Sequence, residues 1–337
     1  MAIDGITFII PTYNNSQETL KCVNSIISLG DTKKINYEII LVDDFSDHQN
    51  FLHLKEKINL INNEKIIIFK NNRNMGPAFS RNLGVKKARY DYVFFLDSDT
   101  EIVQGSIDNF LIKIKNCDAV IGIYNFKPLN SGIFPYYKAL LNYFYFYKDH
   151  DYPYTTFHAA CAGIKKKVFN SLNGFNESIK WGMDYENEEF GYRLTKNNYK
   201  IIMSPKTMVS HSFPKAYDTI KIFYSRVSSW VNFFFIKKNF ESSGTGRPIV
   251  ALGTISAFFT LLFFLINFFT HIIIFKYFFL IFILLHLLIF SKFYFFIYKK
   301  TKIYLVQLLI IHFFISNVIT LGAINGLFKS IKNRLSN

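Results

Sequence analysis

From Pro248 onward the chain loses the charge pattern of a water-soluble protein. Ile249 to Ile274, Tyr277 to Ser291 and Ile303 to Phe328 contain no Asp, Glu, Lys or Arg, and the second stretch stays apolar to Tyr298. A membrane-crossing helix needs about 20 apolar residues, whereas a soluble helix keeps a polar face. These stretches therefore predict a membrane domain over 248–328 with two or three transmembrane helices, then a basic tail over 329–337. Asn267, Thr270, His271 and Lys276 supply the turn between the first two segments, and Lys299, Lys300 and Lys302 separate the second from the third. Lys237, Lys238 and Arg247 precede the first. Basic loops stay inside, which puts the preceding domain and the 299–302 loop in the cytoplasm and the protein in the cell (inner) membrane as a multi-pass chain. A third crossing would carry Lys329, Lys332 and Arg334 outside, against that rule.

Before Pro248 the pattern is different. Ile6–Pro11, Glu38–Val42, Ile66–Phe69 and Tyr92–Leu96 read as buried strands. Ser16–Leu29, Ser46–Ile61 and Pro77–Ala88 lie between them with helical apolar spacing, and Ser16 and Ser46 suit N-caps. Alternation of strand and helix predicts an α/β fold with a mainly parallel, Rossmann-like sheet covered on both faces. Ligands in such sheets sit beyond the carboxyl ends of the strands. The catalytic domain is expected over 1–218 and an amphipathic juxtamembrane helix over 219–247. In that helix Tyr224, Val227, Trp230, Val231 and Phe234 recur at spacings of three and four, beside a basic side of Lys215, Lys221 and Arg226. A helix closing the core of the soluble domain is the competing reading.

The 337 residues include 39 Lys and Arg against 24 Asp and Glu, a net charge of +15. That excess favours anionic lipid or phosphorylated substrates. Nucleic acid is disfavoured, because no basic run interleaves with a nucleic-acid motif. Cys22, Cys117 and Cys161 are far apart and odd in number, which suits a reducing compartment. The first residues show no basic n-region and no long apolar h-region, so no signal peptide is expected there.

Three strands deliver polar residues to one edge: PTYN (Pro11–Asn14), VDDFSD (Val42–Asp47) and LDSDT (Leu96–Thr100). Asp97 and Asp99 at the end of a buried strand repel one another across one residue. A bridging divalent cation relieves that repulsion. Mg²⁺ or Mn²⁺ also binds diphosphate oxygens and neutralises the charge growing on a departing nucleotide. A solvated turn is the plain alternative for the motif taken alone.

The runs FIIPTYNN, EIILVDDFSD, NNRNMGPAFSRNLGVKKA, YVFFLDSDTEI, LNGFNES and WGMDYENEEFGYRL occur in one order between about Ile6 and His211. In that order and spacing they closely resemble the family 2 glycosyltransferases, which have the GT-A fold. The resemblance implies that Pro11, Thr12 and Tyr13 border the nucleoside and that Asp44 reads the base. It places Arg81 near the base or diphosphate, Asp97 at the ribose or metal, and Asp99 on the metal. His211, after an expected strand at Ile201–Met203 and a short Pro-containing loop, matches a histidine that binds the metal or diphosphate in several GT-A enzymes. A neutral imidazole is a competent Mn²⁺ ligand.

In the same family a Glu-Asp pair opens the helix facing the acceptor, and the Asp is the usual general base. Aligned on Phe-Gly-Tyr-Arg-Leu, Glu186 matches the Glu, but Asn187 stands at the Asp position. An amide cannot take a proton at working pH. Glu186 is then the first candidate base, with Asp184, Glu188 and Glu189 behind it; an ionised phosphate acceptor would need no base. The aromatic run Ile133–Tyr147 suits a membrane interface, a sugar-stacking site or a core equally. His158 is expected to be structural or on the acceptor side.

The expected function is inverting, metal-dependent transfer of a sugar from a UDP-, GDP- or dTDP-sugar to a lipid-linked acceptor, in cell-surface glycan synthesis. The acceptor is a polyprenyl phosphate or a lipid-linked saccharide. A polysaccharide synthase with a translocation channel would normally carry more membrane helices and a Gln-x-x-Arg-Trp motif; neither is found. A non-catalytic scaffold has only Asn187 in its favour.

Overall fold

The computed structural model describes residues 3–33, 36–179, 186–237 and 247–335. Asp184 lies outside the described residues. The chain divides into two compact units. The first comprises Met1–Leu129 and Tyr147–Ser212, and the second Asn130–Phe146 and Phe213–Asn337.

The first unit is built on β1 (Ile6–Thr12), β2 (Tyr37–Asp43), β3 (Ile66–Lys70) and β4 (Tyr92–Leu96), with α1 (Ser16–Lys33), α2 (His48–Ile61) and α3 (Pro77–Lys87) between them. β1 pairs in parallel with both β2 and β4, and β2 with β3. Val, Ile and Phe fill these strands because both faces are covered. Phe94 packs edge-on against Phe8 and Phe110 on one face of the sheet. The next residue, Phe95, meets Phe157, Phe169 and Phe175 on the other. Successive strand residues point to opposite faces, so one dipeptide feeds both cores.

Further elements are β5 (Thr100–Ile102), α4 (Ser106–Lys113), β6 (Ala119–Tyr124), β7 (Tyr152–Pro153), β8 (Cys161–Lys165), α6 (Lys166–Ser171), α7 (Glu186–Lys196) and β9 (Ile201–His211). The sheet order is β3-β2-β1-β4-β8-β6-β9-β5, with β7 also on β9. β8 runs antiparallel to β4 and β6, and β5 antiparallel to β9. The sheet is therefore mixed rather than mainly parallel. The strand–helix alternation that demands parallel crossovers stops at β4, and the later strands arrive by other routes.

Other differences are local. The N-cap of α2 is Asp47, whose side chain accepts from Asn50 N–H; Ser46 instead receives Asn14 N–H at 2.9 Å. The expected loop after Met203 is part of β9, where the pairing with β6 shifts register around Pro205. Proline lacks a ladder donor and is tolerated at such an irregularity.

The second unit holds α5 (Ile133–Phe146), α8 (Ala216–Lys237), α9 (Pro248–Thr270), α10 (Ile273–Lys300) and α11 (Leu305–Leu335). The aromatic run 133–147 is thus helical and groups with the C-terminal helices, whereas the sequence boundary had placed it inside the first domain. Its rings explain why: Tyr143 stacks on Phe296 at 6.1 Å, and Phe144 packs on Phe293 at 5.1 Å. Tyr137 O–H meets His312 Nδ1 at 2.8 Å. Three helices, Pro248–Thr270, Ile273–Lys300 and Leu305–Asn333, are long and apolar enough to cross a membrane. α9 ends at His271, whose left-handed φ of 56° turns the chain into α10. The expected juxtamembrane helix is seen as far as Lys237; residues 238–246 lie outside the described residues.

Candidate active site

Four parallel strands end at one edge of the first unit, and the loops there hold one another. Asn14 N–H donates to Ser46 Oγ, and Asp47 N–H donates to Asn14 Oδ1 at 2.9 Å. The turns after β1 and β2 are interlocked by these bonds. Asn15 ties the first turn to the acidic one: its Oδ1 accepts from Thr12 Oγ1 at 2.7 Å, and its Nδ2 donates to Ser98 Oγ. Asn15, the last residue of the FIIPTYNN run, is thus the hub between the two turns, a role that its residue type alone does not announce. Phe45 in the turn after β2 is exposed, as is Tyr13 after β1, and holds a φ of 67°. A bulky residue at positive φ is a strained outlier.

Asp44 is buried, and its carboxylate caps the loop before α3. Oδ1 accepts from Asn71 Nδ2 and Met75 N–H, and Oδ2 from Gly76 N–H at 2.8 Å. The positive end of α3 adds to that hold. Pro11 and Thr12 end β1, and the Thr12 hydroxyl faces Thr19 Oγ1 at 2.7 Å.

Asp97 and Asp99 flank buried Ser98 in the turn between β4 and β5. The turn is fixed at both ends: Thr100 Oγ1 donates to Asp97 O at 2.7 Å, and Ser212 N–H donates to Asp99 O at 3.0 Å. In the antiparallel β5–β9 ladder Thr100 faces His211. That register carries His211 Nε2 to 3.4 Å from Asp99 Oδ1. Ligand atoms of Asp97, Asp99 and His211 all lie within 4.8 Å of one another. Burial, and then the Asp97 charge, push the Asp99 carboxyl up to about 7. Two carboxylates that repel, beside an imidazole, form an oxygen- and nitrogen-donor set suited to Mn²⁺ or Mg²⁺.

Arg81, on α3, is buried and reaches two acids. Its Nη2 lies 2.8 Å from Asp97 Oδ1, and its Nη1 3.5 Å from Glu186 Oε1. The guanidinium thus joins the acidic turn to the first residue of α7. Glu189 is bound at both oxygens by Arg193, at 2.7 and 2.8 Å. Arg193 also donates to the carbonyls of Leu172 and Gly174, clamping the Leu-Asn-Gly-Phe turn. Asn187, at the expected base position, accepts Ala159 N–H at 3.3 Å. His158 pairs with Tyr154 O–H at 3.2 Å. The structure therefore brings together Asp97, Asp99, His211, Arg81 and Glu186, and leaves Glu189 occupied elsewhere.

A parallel β3-β2-β1-β4 half with an Asp-Ser-Asp turn at its carboxyl edge is the GT-A architecture. The model of Glycosyl transferase family 2 matches residues 7–172, and the chain carries a glycosyltransferase domain of that family. A poly(ribitol-phosphate) beta-N-acetylglucosaminyltransferase, TarP, of Staphylococcus aureus is 32% identical over 133 residues, which are 38% of this chain and 39% of that protein. The glycosyltransferase GlyA of Streptococcus pneumoniae is 32% identical over 148 residues, 44% of this chain and 20% of that protein. The chain thus spans well under half the length of these curated relatives. A mannosyltransferase, PcManGT, of Pyrobaculum calidifontis, solved with GDP-Man and Mn²⁺, superposes with a TM-score of 0.58 at 14% identity. That match covers 98% of this chain and 89% of the other, and shows a shared fold.

Proposed function

We propose that the protein transfers a sugar, with inversion, from a nucleotide-sugar to a lipid-linked acceptor, and that the transfer depends on a divalent cation. The observation that carries the proposal is the convergence of Asp97, Asp99 and His211 ligand atoms within 4.8 Å at the carboxyl edge of the sheet. Those three residues would hold the cation. When bound there, it neutralises the charge that develops on the departing nucleoside diphosphate. That a mannosyltransferase of the same fold was solved in complex with GDP-Man and Mn²⁺ supports this reading.

Around that cluster the chain's own groups divide the work. The interlocked turns with Pro11, Thr12 and Tyr13 border the nucleoside, and buried Asp44 fixes the loop before α3. Arg81 orients Asp97 and Glu186 together. Glu186 accepts the proton of an acceptor hydroxyl as that oxygen bonds to the anomeric carbon and the bond to the diphosphate breaks. It is preferred to Glu189, whose oxygens are both engaged by Arg193. An acceptor tied to lipid fits a chain with three helices apolar enough to enter a bilayer. The basic residues around those helices support a cytoplasmic catalytic unit at the inner membrane.

The test is transfer or hydrolysis by the full chain in detergent, with labelled UDP-, GDP- and dTDP-sugars and added Mn²⁺. One donor should be consumed, and EDTA should stop it. Consumption of none, with the protein folded, would refute the catalytic reading; full activity in excess EDTA would refute the cation.

A further inference from the structure

Only two of the three long apolar helices can cross the bilayer if their packing within the second unit is kept. α9 and α10 form an antiparallel hairpin. Gly253 lies against Phe290, Phe259 meets Phe282 at 5.1 Å, and Phe263 meets Phe278 at 5.1 Å. A crossing hairpin returns the chain to the side from which it came. The Lys299–Lys302 turn and the start of α11 are then on that same side, as is the end of α8.

α8 and the second half of α11 run side by side and in the same direction. A Cβ on Gly322 would stand 2.6 Å from the Tyr224 carbonyl oxygen, and one on Gly326 would strike the carbonyl oxygen of Ser228. Asn325 Nδ2 donates to Ser228 Oγ at 2.9 Å. Small residues spaced by four allow this close backbone approach. α8 carries Asp218, Lys221 and Arg226 exposed between its first turn and its middle. Each such charge costs about 2.5–3.5 kcal/mol at the centre of a spanning helix, so α8 stays at the surface. Its parallel partner must stay with it. If both helices crossed instead, α9 and α10 between them would force α8 and α11 to run in opposite directions.

The depth of α11 agrees. Its ring contacts with α10 gather at His312 and Phe313, which face His286, Phe290, Phe293 and Tyr294. Exposed Lys292 lies in that stretch, with Lys299 and Lys300 beyond it. Lysines at a helix end reach for the headgroups, so α11 meets α10 near headgroup level. Val306, Ile310, Phe314, Leu321 and Phe328 form one exposed apolar row along α11. His312, Ser316, Asn317 and Thr320 are buried on the other side.

We propose that α11 is not a third span but lies in one leaflet beside α8, its exposed row against the acyl chains. The membrane then holds one hairpin and one in-plane helix pair, and Lys329 and Lys332 remain on the basic side. This topology does not depend on the reaction assigned to the first unit.

The test uses the full chain in intact cells and in inverted vesicles, with single-cysteine variants Glu56→Cys, His271→Cys and Lys329→Cys and a membrane-impermeant maleimide. The native cysteines are buried, so the unaltered protein is the blank. Lys329→Cys should label in the same preparation as Glu56→Cys, and His271→Cys in the other. Labelling of Lys329→Cys together with His271→Cys would overturn the proposal. In the pair Ser228→Cys and Asn325→Cys, oxidation in the membrane should cross-link α8 to α11; no cross-link in protein that passes the labelling controls would overturn the pairing on which it rests.

Discussion

Arg81 and Asp97 form an ion pair of 2.8 Å, and the same guanidinium reaches Glu186 at 3.5 Å. One buried cation therefore serves the acidic turn and the helix expected to face the acceptor. Removing one partner of a fully buried charge pair costs about 3–5 kcal/mol, because the other is left uncompensated; the Asp97 side chain is 32% exposed, so solvent lowers the cost here. Arg81→Met should lower the melting temperature of the purified protein markedly. Adding Glu186→Gln should recover part of that loss, since it removes the stranded charge. Equal melting temperatures for Arg81→Met and the unaltered protein would show that the bridge contributes nothing.

Asp99 should set the pH dependence of the proposed cation binding. Its carboxyl is raised to about 7 from an ordinary value near 3.9. The folded protein therefore holds a proton there between those limits that the unfolded chain releases. In the cation-free protein this group's contribution to stability falls as pH rises through that window. Mn²⁺ must displace the proton at pH 6 but not at pH 8. The rise in melting temperature on adding Mn²⁺ should be larger at pH 8 than at pH 6, and Asp99→Ala should abolish it. An equal rise at both pH values would contradict this.

Glu186→Gln keeps the shape of the proposed base and removes its basicity. With a hydroxyl acceptor, kcat should fall about 10²–10⁴-fold while donor affinity changes little. With a phosphate acceptor, which is already ionised, the fall should be slight. A normal kcat with a proven hydroxyl acceptor would rule Glu186 out. Asn187→Asp is the companion variant, because an aspartate oxygen can still accept Ala159 N–H. A gain in hydroxyl transfer would show that the family's base geometry is preserved.

Gly191 lets α7 sit on the backbone of residues 155–157. A Cβ there would come within 2.7 Å of Thr155 O, Thr156 Cα and Phe157 N. Backbone cannot step aside as a side-chain tip can, so Gly191→Ala should displace α7 and its first residue, Glu186. Overpacking of this kind costs about 1–3 kcal/mol. Transfer should drop further than stability does, measured as kcat beside the melting temperature.

Much of the fold and of the site is legible in the sequence. Alternation marks β1 to β4, and charge-free length marks α9, α10 and α11, because burial on both faces and long apolar composition each leave a one-dimensional trace. PTYN, VDDFSD and DSD lie directly after their strands, so topology alone sent them to one edge. Short strands leave a weaker trace. β5 has three residues and β9 is interrupted at Pro205, so the mixed half of the sheet was not expected.

The sequence by itself determined which residues carry charge, which stretches are apolar enough to cross a membrane, and where the acidic turn falls. Tertiary structure decided the rest. His211 joins Asp99 across 112 residues of chain only because β5 and β9 pair with Thr100 opposite His211. Arg81 reaches Glu186 only because α3 and α7 converge on one edge. Glu189 stands behind Glu186 as a candidate base in the sequence, and in the folded chain Arg193, one helical turn on, takes both its oxygens. Composition records what a side chain prefers; which partner satisfies that preference depends on distances that exist only in the folded chain.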